Sequence, residues 1–234
     1  LRKEVPFGEN PLLNLKLLGE RNFGVSMAVL AIFGIGMLGG TYLLPLYMQK
    51  GLGYTAIMAG SVFLPVGLIQ GVLSTCSGFL TRYIKPLFIA VTGILVMTLS
   101  FYFASRFTLH TTHAQIMLVL YLRGFGMGLT FAPLNDFSLM NLSQRDMASA
   151  AGISNSIKQL SGSVSIALLT VILTGRTAFH SAQGGLSSAE SYVAGISDDF
   201  LFVTFVSLAS ALPFLWLLRP RRKAASFKSE GTGT

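Results

Sequence analysis

Three charged side chains stand where the sequence is otherwise apolar. Arg123, in "YLRGFGMG", interrupts the run from Ile116 to Leu134; Lys158 lies inside the run 148–174; Asp136 follows Pro133. A charge at the centre of a membrane-spanning helix costs about 2.5–3.5 kcal/mol on an insertion scale, so such groups face a bundle interior or a watery cavity. Their chemistry there is electrostatic. They hold a proton, an ion or a charged ligand, or they form a structural interhelical pair, and both readings stay open for each residue. Arginine does not release its proton, so Arg123 would favour a negative charge nearby rather than carry a proton itself. Arg123 and Asp136 are thirteen residues apart. On a helix that is about 20 Å and roughly 220° of rotation, so they are not expected to pair. Asp136 is better placed for Lys158 on the next span or for Arg82 at the end of the second. With no other carboxylate expected inside a span, Arg123 must find its counter-charge in a cavity, a substrate or another part of the protein.

These residues need a membrane to give them meaning, and the composition supplies one. Of 234 residues, 52% are hydrophobic and only 11% charged, against about 25% charged in soluble domains. Mean hydropathy is +0.64. The single cysteine, Cys76, excludes an intrachain disulfide framework. The segment Leu1–Gly8 is charged and lacks the apolar core of a signal peptide. A chain that opens on leucine reads as a fragment. Enzyme signatures are missing: there is no HExxH, GxSxG, P-loop or metal-spaced Cys/His set. His110 and His113 are expected in a loop with no carboxylate nearby. No catalytic residue, metal or cofactor is therefore expected.

A spanning helix needs about 20 mostly apolar residues, and six such runs are present: 22–49, 55–80, 86–105, 114–140, 148–174 and 199–218. The expected fold is an all-α integral membrane bundle of six helices, 22–218. It is preceded by a cytoplasmic lead-in, 1–21, and followed by a basic tail, 219–234, expected to be disordered. The stretch 10–23 reads as either an interfacial helix or a partly ordered linker. The connection 175–198, with Asp198 at its end, reads as a long external loop, or one with a helical turn lying on the surface, without catalytic content. Lys and Arg fall twelve on one side and three on the other, which with Arg123 and Lys158 accounts for all 17. By the positive-inside rule both termini are cytoplasmic. The net charge of +8 is thus a topology signal against anionic headgroups, with no nucleic acid implied. The "NLS" sequon at Asn141 falls on that cytoplasmic side, so glycosylation is not expected.

Small residues recur at spacing four: Gly124, Gly128 and Ala132 in the fourth span, Ala148, Gly152 and Ser156 in the fifth, Gly36 and Gly40 in the first. Such stripes let helices approach closely. Here they allow spans four and five to lie close together, and likewise the first span and its partner, with packing the plain reading of the glycines. Pro45, Pro65 and Pro133 each remove a backbone hydrogen bond and invite a bend.

Several stretches together resemble the major facilitator superfamily, and within it the fourteen-helix drug:proton antiporters of the EmrB/QacA type. They are "YLLPLYMQKGLGYTAIMAGSVFLPVGL" (42–68), "LRGFGMGLTFAPL" (122–134), "GISNSIKQLSGSVSIALL" (152–169) and the lead-in "PLLNLKLL…RNF", and they cover nearly the whole chain to about Phe214. Departures occur in "GFLTRYIKP" (78–86), where Arg82 takes an acidic position and Tyr83 a basic one. A further departure is Lys158, where arginine is usual. The resemblance implies the C-terminal six-helix half of such a transporter, built from two inverted three-helix repeats. It also implies that spans one and four line the central cavity. Arg123 and Lys158 become the proton-coupling and cavity residues. Met37, Thr41, Tyr42, Met127, Asn155 and Gln159 become candidate substrate-cavity residues, with packing the alternative for the methionines. Arg82 and Asp136 become a rearranged cytoplasmic charge network.

The function this implies is proton-coupled efflux of amphipathic small molecules by alternating access, in a bacterial inner membrane. The proton gradient supplies the energy, and the partners are the transporter's N-terminal half and the lipid bilayer. Some members of that group also work with a periplasmic adaptor protein and an outer-membrane channel. The alternative is a truncated, transport-dead membrane scaffold or gene fragment.

Overall fold

The computed structural model describes residues 15–213 except 141, 145 and 184. Most of the lead-in, 1–14, and the tail 219–234 lie outside the described residues. A short 3-10 turn, Leu15–Gly19, opens onto α1, Arg21–Leu46, which a π turn prolongs through Tyr47–Gly51. Then follow α2 (Ala56–Leu80), α3 (Pro86–Ala104), α4 (His113–Leu139), α5 (Met147–Ala182) and α6 (Ser188–Ala209). There is no strand among the described residues. All six helices are long and apolar enough to cross a membrane.

Local chemistry sets the helix starts. The Thr55 hydroxyl accepts the Met58 N–H, and Pro86 occupies the first turn of α3, where a missing N–H does no harm. Thr112 with Gln115 and Ser187 with Glu190 form capping boxes on α4 and α6. Pro45, Pro65 and Pro133 lie inside continuous helices. Only at Pro45 does the helix type change soon after, into the π turn.

The helices pair in a pattern that nearly maps onto itself when α1–α3 are exchanged with α4–α6. α1 packs on α5 and α2 on α4; α3 packs on α4 and α1 on α6; α1 meets α4 and α3 meets α6; α5 also packs on α6, a seam that α2 and α3 do not match. Hydroxyls bond across these seams to main-chain oxygens. Ser165 donates to Ile35 at 2.7 Å, Ser77 to Gly128 at 3.1 Å and Ser100 to Val119 at 2.7 Å. In a membrane, where burial of apolar surface does not drive helices together, such bonds and close packing hold the bundle.

The tightest seam is α3 on α4. A Cβ on Gly93 would lie 2.8 Å from the Gly126 carbonyl oxygen, and one on Gly126 2.8 Å from that of Gly93. The fourth-span stripe does not serve α5, as expected from spacing, but α2: Gly124 faces Val66 and Gly128 faces Leu73. The fifth-span stripe points elsewhere too. Ala148 and Ser156 are exposed, and Gly162, against Leu38, makes the close approach to α1 instead. The first-span glycines do have close partners, Gly36 in Val203 and Ser207 of α6 and Gly40 in Phe101 of α3.

The segment 175–198 is mostly helix rather than a long loop. α5 runs 36 residues, about 54 Å, well beyond the roughly 30 Å of a hydrocarbon core. Its polar end continues as helix because Arg176 and His180 both engage Asp198 of α6. α6 accordingly begins at Ser188, eleven residues before the expected 199, and ends at Ala209. This end of the bundle is tied to the α3–α4 turn, since the Tyr47 hydroxyl donates to Thr108 O at 2.7 Å and Ser197 to Phe107 O at 2.8 Å. His110, expected to lack a neighbouring carboxylate, shares a cavity wall there with Glu190.

Candidate functional site

Arg123 is 3% exposed, in the middle of α4 where that helix crosses α1. Its terminal nitrogen donates to the Met37 carbonyl at 3.1 Å and to the Thr41 hydroxyl, while Thr41 itself donates to the same carbonyl at 2.9 Å. Nε has no hydrogen-bond partner. The crossing is close because Gly40 adds no side chain: a Cβ there would lie 3.4 Å from Nε and 2.4 Å from the Phe101 ring. Thr41 is exposed. The buried cation therefore reaches the open face of the bundle through one hydroxyl. No carboxylate lies within ion-pairing distance of it among the described residues.

Other expected site residues are more dispersed. Lys158 lies over the Phe131 ring of α4, 4.7 Å from its centre. Phe131 is eight residues from Arg123, about 12 Å along α4, so the two cations occupy different depths. Asn155 and Gln159 are exposed on the same stretch of α5. An exposed polar strip inside a span faces water or protein in preference to lipid. Tyr42 reaches the Thr170 hydroxyl of α5 at 3.4 Å, and Met37 and Met127 are half-buried. The charge network expected from Asp136 does not form: among the described residues it pairs with neither Lys158 nor Arg82. Lys158 has its aromatic partner, and Arg82, in the turn just past α2, lies over Phe79 at 5.4 Å.

A second charged cluster was hidden from sequence reasoning by the loop expected over 175–198. Asp198 accepts from Arg176 at 2.6 Å and stands 2.9 Å from His180 Nε2. Asp199, next in the chain, is completely buried, and neither carboxylate oxygen has a hydrogen-bond partner among the described residues. The two positions are well inside α6, so the spans hold more carboxylates than Asp136. The signal available in the sequence was the capping box, Ser187 with Glu190, which marks a helix start well before residue 199.

Comparison with known proteins follows this geometry. The family model described as the Major Facilitator Superfamily matches residues 2–166. The chain belongs to that superfamily. It is thus a chain of a transporter family and not an enzyme. It is 31% identical to the uncharacterized MFS-type transporter YhcA of Bacillus subtilis strain 168 over 175 residues, 75% of this chain and 33% of the relative. It is also 31% identical to the multidrug export protein EmrB of Haemophilus influenzae over 176 residues, 75% of this chain and 34% of the relative. Identity to the lincomycin resistance protein LmrB of Listeria innocua is 25% over 217 residues, 91% of this chain and 46% of the relative. The chain thus spans about a third to a half of the length of the curated relatives it matches. Six apolar helices and these superfamily relatives describe a multi-pass membrane protein related to multidrug exporters.

Proposed function

We propose that this chain forms the C-terminal half of a proton-coupled efflux antiporter for amphipathic small molecules, working by alternating access. The observation that carries the reading is Arg123: a cation buried at the α1–α4 crossing, held by a carbonyl and a hydroxyl, with Nε unsatisfied. A guanidinium in that setting attracts negative charge strongly because little water screens it. Its role is to favour the deprotonated state of a carboxylate in the other half of the transporter, or to orient substrate, as the first half rocks against this one. Lys158, Asn155 and Gln159 extend the polar surface on α5, and Tyr42, Thr41, Met37 and Met127 supply adaptable contacts for substrate. Relatives that include multidrug export and lincomycin resistance proteins support amphipathic small molecules as substrates. Both termini of the segment face the cytoplasm on this reading. A periplasmic adaptor and an outer-membrane channel are added partners where the cell has two membranes.

The test is Arg123→Ala in the full-length gene product. Proton-gradient-driven dye efflux should fall about a hundredfold, with expression and membrane insertion near wild type. Export at the wild-type rate would overturn the proposal.

A further inference from the structure

Asp199 is the one completely buried carboxylate among the described residues, and it makes no hydrogen bond there. Its neighbour Asp198 has taken two nearby basic side chains, Arg176 and His180. A buried ionised carboxylate without a partner is severely disfavoured, and such a group takes a proton instead. It contributes no bond to the bundle, so structural need does not account for it.

Its face of α6 packs beside a cavity. On α6, Gly195 and Val203 stand one turn either side of Asp199 on the same stripe. A Cβ on Gly195 would meet the Thr177 hydroxyl of α5 at 2.6 Å, and Val203 faces Gly36 and Gly39 of α1. The carboxylate therefore belongs to the face of α6 that meets α1 and α5. Thr177, whose buried hydroxyl is also without a partner, lines an open cavity of about 420 Å³ together with Tyr42, Lys50, Thr174 and Tyr192. Titratable groups around this junction are Tyr42 of α1, Tyr47 and Lys50 of the π turn, Arg176 and His180 of α5, and Tyr192 and Asp198 of α6. On α3, which packs on the other side of α6, no residue is charged, and its one tyrosine, Tyr102, is exposed. Lys50 lies over the Tyr192 ring, 5.8 Å from its centre, at the cavity wall.

We propose that Asp199 takes up and releases a proton during the transport cycle, through the cavity between α1, α5 and α6. The inference rests on the antiport reading above but concerns a site separate from Arg123. Uptake forms one O–H bond on the carboxylate as one on a hydronium ion in the cavity breaks; release is the reverse, and nothing is oxidised or reduced. Thr174, Tyr192 and Tyr42, all hydroxyl-bearing, line that cavity.

The test uses the full-length protein in liposomes and two readouts. In pH-difference infrared spectra the wild type should show a protonated carboxyl band that disappears on alkalinisation, changes when ethidium is added, and is missing in Asp199→Asn. Asp199→Glu should restore a shifted band, which separates loss of the group from misfolding. Proton-driven ethidium efflux should fall about tenfold or more in Asp199→Asn. A band absent from the wild type, one insensitive to pH and ethidium, or one retained in Asp199→Asn overturns the proposal. So does Asp199→Asn efflux with unchanged gradient dependence. Wild-type efflux indifferent to the gradient overturns the antiport reading instead, and the infrared titration still decides whether Asp199 exchanges a proton.

Discussion

Arg123 and Asp199 are both buried in the same bundle, one on α4 and one on α6. Phe101 of α3 abuts Gly40 beside the guanidinium and stacks on Phe200, the residue after Asp199, with ring centres 6.4 Å apart. Yet the cation is anchored to α1 by a carbonyl and a hydroxyl, whereas the Asp199 carboxyl has no hydrogen-bond partner among the described residues. A permanent charge must be given partners when the protein is built. A group that can accept a proton is relieved of that demand and can be left bare. The difference separates a fixed field from an exchangeable site, and it predicts opposite sensitivities to substitution.

The largest effect on stability should come from the seam that sets the depth of Arg123. Gly126→Leu drives a side chain into the main chain of α3 around Gly93 and should destabilise the protein by about 3 kcal/mol in SDS titration of detergent-solubilised protein. Thr41→Val comes next: it removes an acceptor from a buried cation and should cost about 1.5–3 kcal/mol. A neutral result there would mean the carbonyl alone suffices and would weaken the contrast. Asp199→Asn breaks no bond and should change stability by no more than about 1 kcal/mol. A large loss would show that the carboxylate is structurally partnered after all. The smallest change is expected from Arg176→Gln, whose half-exposed pair with Asp198 is open to solvent and salt. Its effect should vanish from the same titration at high ionic strength.

The bundle was legible because lipid demands long apolar runs. The run 86–105 became Pro86–Ala104, and 55–80 became Ala56–Leu80. Legibility failed at 175–198 for the same reason. Past the hydrocarbon a helix need not be apolar, and α5 continues there on ion pairs with α6. The late start expected for α6 set Asp199 at the mouth of the span, whereas it lies about three turns inside the helix. Arg123 announced itself as a lone charge in an apolar run. Its hold on Met37 was beyond reach, since a main-chain carbonyl leaves no trace in residue type. Stripe partners failed similarly: spacing shows that a glycine face is smooth without saying which helix lies on it, and Gly128 chose Leu73 of α2.

The anchor of Arg123 on a carbonyl has an evolutionary corollary. Every amino acid carries that oxygen, so residue 37 can be exchanged without loosening the arginine, while its half-buried side chain remains free to drift. If Met37 lines the proposed substrate chamber, a lineage adapting to new toxins can revise that wall and keep the electrostatic machinery one bond away untouched.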